Sequence, residues 1–230
     1  MTERKLETIA YVHTDFPEKF GIPRQSSLGS RLTGTVEFVP KFRVWEALRG
    51  IEEFSHLWLI WDFSRVPAQD RFEPLVRPPR LGGNEKRGIF ATRSPFRPNP
   101  LGLSLVRLEQ VLDTGSGPAL LISGIDLMDG TPVYDIKPYL PHLEAVPQAK
   151  GGFALAHAGD LLDVVFPDEL LRLIPEEKRE ALLEALSLDP RPAYQDDPER
   201  MYGFGFAGLD VRFTVRDGQL TVREIREYRR

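Results

Sequence analysis

The sequence predicts a mainly β protein, with an N-terminal β-barrel over residues 1–150 and a small α+β domain over residues 163–230. Three observations predict it. Between residues 8 and 136, short runs of alternating apolar and polar residues are separated by Gly, Pro, Asn and Asp, with almost no helical period. After Pro147 the character changes, and Ala149-Lys150-Gly151-Gly152 reads as a linker. Beyond it come a helical stretch and a closing hairpin.

In chain order, residues 8–13 read as a first strand, and residues 16–28 are irregular because Pro17, Gly21, Pro23 and Ser26-Ser27 break any period. Residues 33–39 alternate as a strand, and residues 43–48 read as a short helix closed by Gly50. The aromatic and β-branched run 54–63 is a strand, and 64–83 is loop. Residues 88–92 form a short strand feeding a proline-rich rim. Strands 101–112, 119–125 and 131–136 follow, joined by turns at Gly115-Ser116-Gly117-Pro118 and Asp126-Leu127-Met128-Asp129-Gly130. Many short strands at this spacing imply a closed or nearly closed barrel. In the second domain, Phe166-Pro167-Asp168 opens a helical stretch interrupted at Pro175. That proline with Glu176 and Glu177 makes a favourable first turn, and Leu182, Leu183 and Leu186 give the helix an apolar face. Residues 209–215 and 220–222 alternate on either side of Asp217-Gly218, a hairpin.

Composition narrows the function. The chain has 230 residues, enough for a sizeable core, and a formal net charge of −4, which disfavours broad non-specific binding to a polyanion. Cations nevertheless crowd the middle of the chain, from Arg71 through Arg77, Arg80, Arg93 and Arg97 to Arg107, suiting an anionic ligand at one site. There are no cysteines, and no apolar run approaches the roughly 20 residues of a membrane span. The N-terminus does not read as a signal peptide, so a cytoplasmic protein is expected. No dinucleotide fingerprint, phosphate loop or nucleophile elbow occurs, and the four histidines lack metal-ligand spacing. His56, heading the aromatic strand, reads as a hydrogen-bonded core histidine.

The chain is organised around Arg93-Ser94-Pro95-Phe96-Arg97-Pro98-Asn99-Pro100-Leu101-Gly102-Leu103-Ser104. Its prolines hold Ser94, Arg97 and Asn99 out of the helical region, giving a stiff rim with polar side chains aimed in advance. Gly102 allows close backbone approach. A proline-rich connection or a PxxP-type ligand would show the same composition. Two further polar loops join it: Pro23-Arg24-Gln25, and Asp126 to Thr131 with Asp135 beyond. These residues alone leave open a non-catalytic RNA-binding barrel and a small-molecule hydrolase built on Asp126, Asp129 and Asp135.

The strings themselves resemble the TsaA-like family. The resemblance rests on Phe54-Ser55-His56-Leu57-Trp58, Arg77-Pro78-Pro79-Arg80-Leu81-Gly82-Gly83-Asn84, Phe90-Ala91-Thr92-Arg93-Ser94, Arg97-Pro98-Asn99-Pro100, Asp126 to Tyr139, and Asp189-Pro190-Arg191-Pro192-Ala193-Tyr194. Bacterial members of that family methylate N6 of threonylcarbamoyladenosine at position 37 of tRNA. The resemblance implies a β-barrel methyltransferase that uses S-adenosylmethionine and works as a homodimer; from the histidine spacing no metal is expected. It implies donor contacts at Pro23, Arg24, Gln25, Arg93, Leu103, Asp126, Asp129, Gly130 and Thr131. Ser64 and Arg65 match donor contacts by position only, where relatives often carry His-Gln.

That ligand suits these residues. Its α-carboxylate calls for arginine, its amine and ribose for aspartates, and its adenine for backbone groups and Leu103. Methyl transfer rests mostly on positioning, an effect worth up to about 7–11 kcal/mol in favourable cases. The acceptor nitrogen is amide-like and a poor nucleophile, so a hydrogen-bond acceptor on its hydrogen would help. Asn99, Asp135 or the backbone carbonyl of Pro98 could supply it, with Asn99 ranked first. Arg77, Arg80 and Arg97 are assigned to the substrate, Arg97 as the reader of the threonylcarbamoyl carboxylate. The second domain is assigned to tRNA placement.

Overall fold

Six antiparallel strands close into a barrel in the order β1-β2-β7-β6-β3-β8. They are β1 (Ala10–Thr14), β2 (Thr33–Phe38), β3 (His56–Asp62), β6 (Leu101–Asp113), β7 (Pro118–Ser123) and β8 (Thr131–Pro138), with the two-residue pair β4 (Leu75–Val76) and β5 (Arg87–Gly88) outside. The structure is a computed structural model describing residues 5–23, 25–26, 29–67, 71–78, 85–153, 161–191 and 197–229. Alternation sets which side chains fill the barrel. In β3, Leu57, Leu59 and Trp61 point in, and His56, Trp58, Ile60 and Asp62 lie on the outer face. With Ala10, Val12, Val36, Phe38, Val106, Leu120, Ile122 and Val133 they form a closed apolar interior. Burial of this kind stabilises by about 25 cal/mol per Å² of apolar surface. Closure leaves no free sheet edge.

Gly102 lies opposite Trp61 in the β3–β6 register, and a Cβ there would sit 2.1 Å from the indole ring. The glycine is therefore a seat for Trp61, whose ring also packs against Phe63 at 4.3 Å between centroids.

The second unit is a four-stranded sheet, β10-β11-β12-β9, packed on one main helix. The short helix α1 (Pro141–Glu144) leads out of the barrel, and the second unit comprises β9 (Asp163–Val165), α2 (Asp168–Leu171), α3 (Glu176–Ser187), β10 (Tyr202–Phe206), β11 (Leu209–Arg216) and β12 (Gln219–Glu227). In α3 the residues Ala181, Leu182, Ala185 and Leu186 are buried, the one apolar stripe that its helical period provides. The β11–β12 hairpin turns at Asp217 and Gly218, both with positive φ.

Several expectations change. Residues 43–48 do not form an α-helix; they lie in 3-10 turns at Pro40–Phe42, Trp45–Leu48 and Ile51–Glu53, with Gly50 in the left-handed region. Residues 88–92 are not one strand, since β5 ends at Gly88 and Ile89–Ala91 is a 3-10 turn. His56 is half-buried on the barrel's outer face, bonded to the Ser55 hydroxyl at 2.9 Å, and is not a core residue. Three strands were not foreseen. β4 (Leu75–Val76) lies within residues 64–83, expected as loop, and pairs antiparallel with β5. β9 is only three residues long and pairs in parallel with β12. In β10 the alternation is carried by aromatics, Tyr202, Phe204 and Phe206, separated by glycines, which reads as loop by composition.

Candidate functional site

The barrel end that receives Asp62, Leu101 and Ser123 carries the rim. Prolines alone do not shape it. The Thr92 hydroxyl donates to the Ile89 carbonyl at 2.9 Å, Arg97 N–H to the Pro95 carbonyl at 2.8 Å, and Leu101 N–H to the Asn99 carbonyl at 2.7 Å. Arg97 Nη1 donates to the carbonyls of Thr92 (2.8 Å) and Ile89 (3.3 Å), so it braces the rim from within, close to the Phe90 ring. Asn99 and Arg93 are exposed on this rim, and Phe96 also points outward, 47% exposed.

Three of the expected donor residues converge here. Arg93 Nη1 donates to Gln25 Oε1 at 2.5 Å. The neighbouring Ser26 takes the Leu105 N–H on its hydroxyl (3.0 Å) and gives its own N–H to the Asp126 carboxylate. Asp126 also accepts from the Ser104 hydroxyl at 2.5 Å, and that hydroxyl accepts from Trp61 Nε1 at 2.9 Å. Ser104 is fully buried, so this chain of bonds runs from the barrel interior to the rim. Burial pushes the Asp126 carboxyl above its ordinary value. The Ser104 and Ser26 bonds and the charge of Arg93 pull the other way without cancelling it.

Asp129, Gly130 and Thr131 occupy the adjoining turn. Asp129 accepts from the Thr14 N–H and lies 3.2 Å from His13 Nδ1. Gly130, at φ +76°, donates its N–H to the Val12 carbonyl, and the Thr131 hydroxyl donates to the Met128 carbonyl at 2.7 Å. This turn ties the Asp126 loop to the end of β1. Pro23 is buried beside Gln25, and Leu103 is 52% exposed on the outer face of β6.

Other candidates stand apart. Asp135 sits midway along β8, its carboxylate 2.9 Å from Lys137 Nζ and bonded to the Ile136 N–H, across β3 from Leu103 rather than at the rim. Asp126, Asp129 and Asp135 each have different partners and do not form one acid, base or metal set. Ser64 and Arg65 are exposed just after Phe63, whose N–H bonds Pro100 at the base of the rim. Arg77 is exposed after β4. Arg24, Arg80, the rest of the 79–84 string and the 192–194 part of the second-domain motif lie outside the described residues.

The family model for the tRNA-methyltransferase O (TrmO) N-terminal domain matches residues 11–145, and that for the TrmO C-terminal domain matches residues 160–228. The chain belongs to the TrmO family. It is 39% identical over 230 residues to the Escherichia coli (strain K12) protein named tRNA (adenine(37)-N6)-methyltransferase, covering 96% of this chain and 97% of that one. It is 44% identical over 213 residues to a Pseudomonas aeruginosa protein named putative S-adenosylmethionine-dependent methyltransferase RcsF, covering 89% and 90%. A crystal structure of TrmO from Pseudomonas aeruginosa superimposes with a TM-score of 0.78 at 34% identity, over 98% of this chain and 100% of that one.

Within this TrmO-family barrel, the residues that sequence reasoning missed are Ser26, Ser104 and Trp61. A signal for Ser104 existed. Gly102, Ser104 and Val106 point inward along β6, and a hydroxyl at an inward strand position needs a buried polar partner. No local pattern identifies that partner as Asp126, 22 residues away.

Proposed function

We propose that this chain transfers a methyl group from S-adenosylmethionine to N6 of threonylcarbamoyladenosine at position 37 of tRNA. One observation carries the reading: Gln25, Arg93 and Asp126, from three separate loops, meet at one barrel rim. A guanidinium facing a partly desolvated carboxylate suits a ligand bearing a carboxylate and an ammonium. Arg93 would hold the first, and Asp126 the amine or ribose hydroxyls. The donor supplies a methyl group on a sulfonium centre. The protein's part is to hold the acceptor in line with it and to keep the proton-bearing nitrogen beside an acceptor group. Asn99, exposed on the rim, takes that last role, ahead of Asp135 with its lysine partner.

Arg97 gives Nη1 to the rim carbonyls, and its remaining N–H groups would serve to grip the substrate carboxylate. Exposed Phe72 and Phe90, stacked 6.2 Å apart beside it, offer a face on which an anticodon-loop base can stack. The second domain places the tRNA, and two copies of the chain work together in the cytoplasm as a homodimer. Among the described residues no helix is long and apolar enough to cross a membrane.

The test is methylation of tRNA with and without the threonylcarbamoyl group, read by nucleoside mass spectrometry at one salt concentration. Methylation of the modified RNA alone is expected, and Arg97→Lys should reduce it at least tenfold, about 1.4 kcal/mol. Equal methylation of both RNAs would remove the carboxylate-reading role, and no methylation of either would remove the whole reading.

A further inference from the structure

The segment joining β1 to β2, residues 15–32, has two sides. One side touches the candidate donor site through Gln25 on Arg93 and through Ser26 on Leu105 and Asp126. The other side is held by the second unit. The Phe16 ring packs edge-on against Phe206 at 5.3 Å and lies 6.5 Å from Phe204. Gly21, at φ +81°, fits so closely under Phe204 that a Cβ would lie 2.1 Å from the ring. Backbone bonds add to this, with Ala207 N–H donating to the Asp15 carbonyl at 2.9 Å and Gly205 N–H to the Glu18 carboxylate at 3.3 Å.

The strongest attachment comes from α3. Glu184 accepts Ser30 N–H at 3.0 Å and the Ser30 hydroxyl at 3.1 Å on one oxygen, and Arg31 N–H at 2.7 Å on the other. Two consecutive backbone donors are thus gripped by one carboxylate, a charge-assisted arrangement. Its place in the helix makes it more telling. Glu184 lies in the last turn of α3, where the negative end of the helix dipole disfavours an acid. Helix formation gives no reason for it, whereas the grip on residues 30 and 31 does.

We propose that Glu184 and the aromatic side of β10 clamp the 15–32 segment and thereby set the affinity for the methyl donor. The second domain is then a positioning element for donor binding as well as for RNA. The inference rests on the reading that Gln25, Arg93 and Asp126 bind S-adenosylmethionine. Its physical basis is preorganisation: a segment already held from behind loses less freedom when ligand orders its front.

The experiment is calorimetric titration of the full-length chain with S-adenosylmethionine, with steady-state kinetics alongside. Glu184→Ala should weaken donor binding about tenfold and raise the donor KM equally, with kcat and the tRNA KM little changed. Glu184→Gln keeps one carbonyl acceptor and should recover part of the loss. A Glu184 that only stabilises the fold would lower Tm and leave the donor KM unchanged, which overturns the clamp. A wild-type chain that does not bind the donor overturns the donor-site reading instead. Should Glu184→Ala fail to fold, hydrogen exchange on the wild-type chain decides. Coupling is reciprocal, so saturating donor should slow exchange in residues 176–187 and 202–206 as well as in 15–32. Slowing confined to the barrel rim would refute the clamp.

Discussion

The surroundings of Asp126 only partly support its ionised form. The residue receives hydrogen bonds from Ser104 and Ser26 and faces Arg93, yet burial outweighs them and raises its pKa above the ordinary 3.8. A carboxylate whose folded-state pKa is raised binds more protons in the folded state. Its contribution to stability is therefore most favourable below the ordinary Asp range and declines as pH rises through the raised value. Such a cost at neutral pH is a mark of function, since a cationic ligand group offsets it on binding. Asp126→Asn should accordingly raise Tm at pH 7. The gain should shrink as pH falls and the wild-type carboxyl becomes neutral, while donor affinity drops at pH 7. Thermal melts across pH 4–7 with donor titration check this, and a variant less stable than wild type at every pH would contradict it. Residues of this kind were only half legible in the sequence. Asp126, Arg93 and Gln25 stand in distinctive strings, but the Ser104–Trp61 support depends on register between β3 and β6, which no local pattern reveals.

The rim and the strand after it work as one element. Prolines and short turn bonds stiffen residues 92–100, and β6 continues them into the wall where Gly102 seats Trp61. Trp61 in turn donates to Ser104, so the packing of one indole reaches the Asp126 carboxylate through a single hydroxyl. Gly102→Ala puts a methyl group 2.1 Å from that ring. Overpacking of this kind typically costs about 1–3 kcal/mol. The expected outcome is a lower urea midpoint together with weaker donor binding, because the displaced indole loosens Ser104. Reduced stability with unchanged donor affinity would show that the Trp61–Ser104 bond has no bearing on the site. Elements with strong period-2 alternation, such as β3 and β11, were legible, as was the Asp217-Gly218 turn. The 3-10 turns between Pro40 and Glu53 were not, because short apolar runs without caps fit a helix turn and a tight loop equally.

Barrel and second unit share one continuous core, with Phe16 from the barrel side set among Phe204 and Phe206. Lys178 Nζ reaches Asp15 at 2.6 Å across the same junction, largely shielded from water. That contact accounts for one apolar face of the barrel and leaves another. On the outer face of the barrel Leu103 pairs with Ile60 and Tyr11 with Pro132, with Leu101 opposite Asp62 and Asp135 opposite Ile60 on the strands between. Leu101 is 38%, Tyr11 41% and Leu103 52% exposed, a large apolar share for a solvated wall. A second copy of the chain meeting this face would bury it, as the proposed homodimer requires. A stable interface needs about 800 Å² from each partner, so apolar residues spread over four strands are the right kind of surface. Tyr11→Lys avoids both the donor rim and the barrel core, and places a solvated ammonium within any such contact. Light scattering should give the wild-type chain twice its 26.1 kDa and the variant a mass close to 26.1 kDa, with Tm at high dilution little changed. A wild-type chain that is monomeric at micromolar concentration would defeat the homodimer. A dimer indifferent to Tyr11→Lys would place its interface on another face.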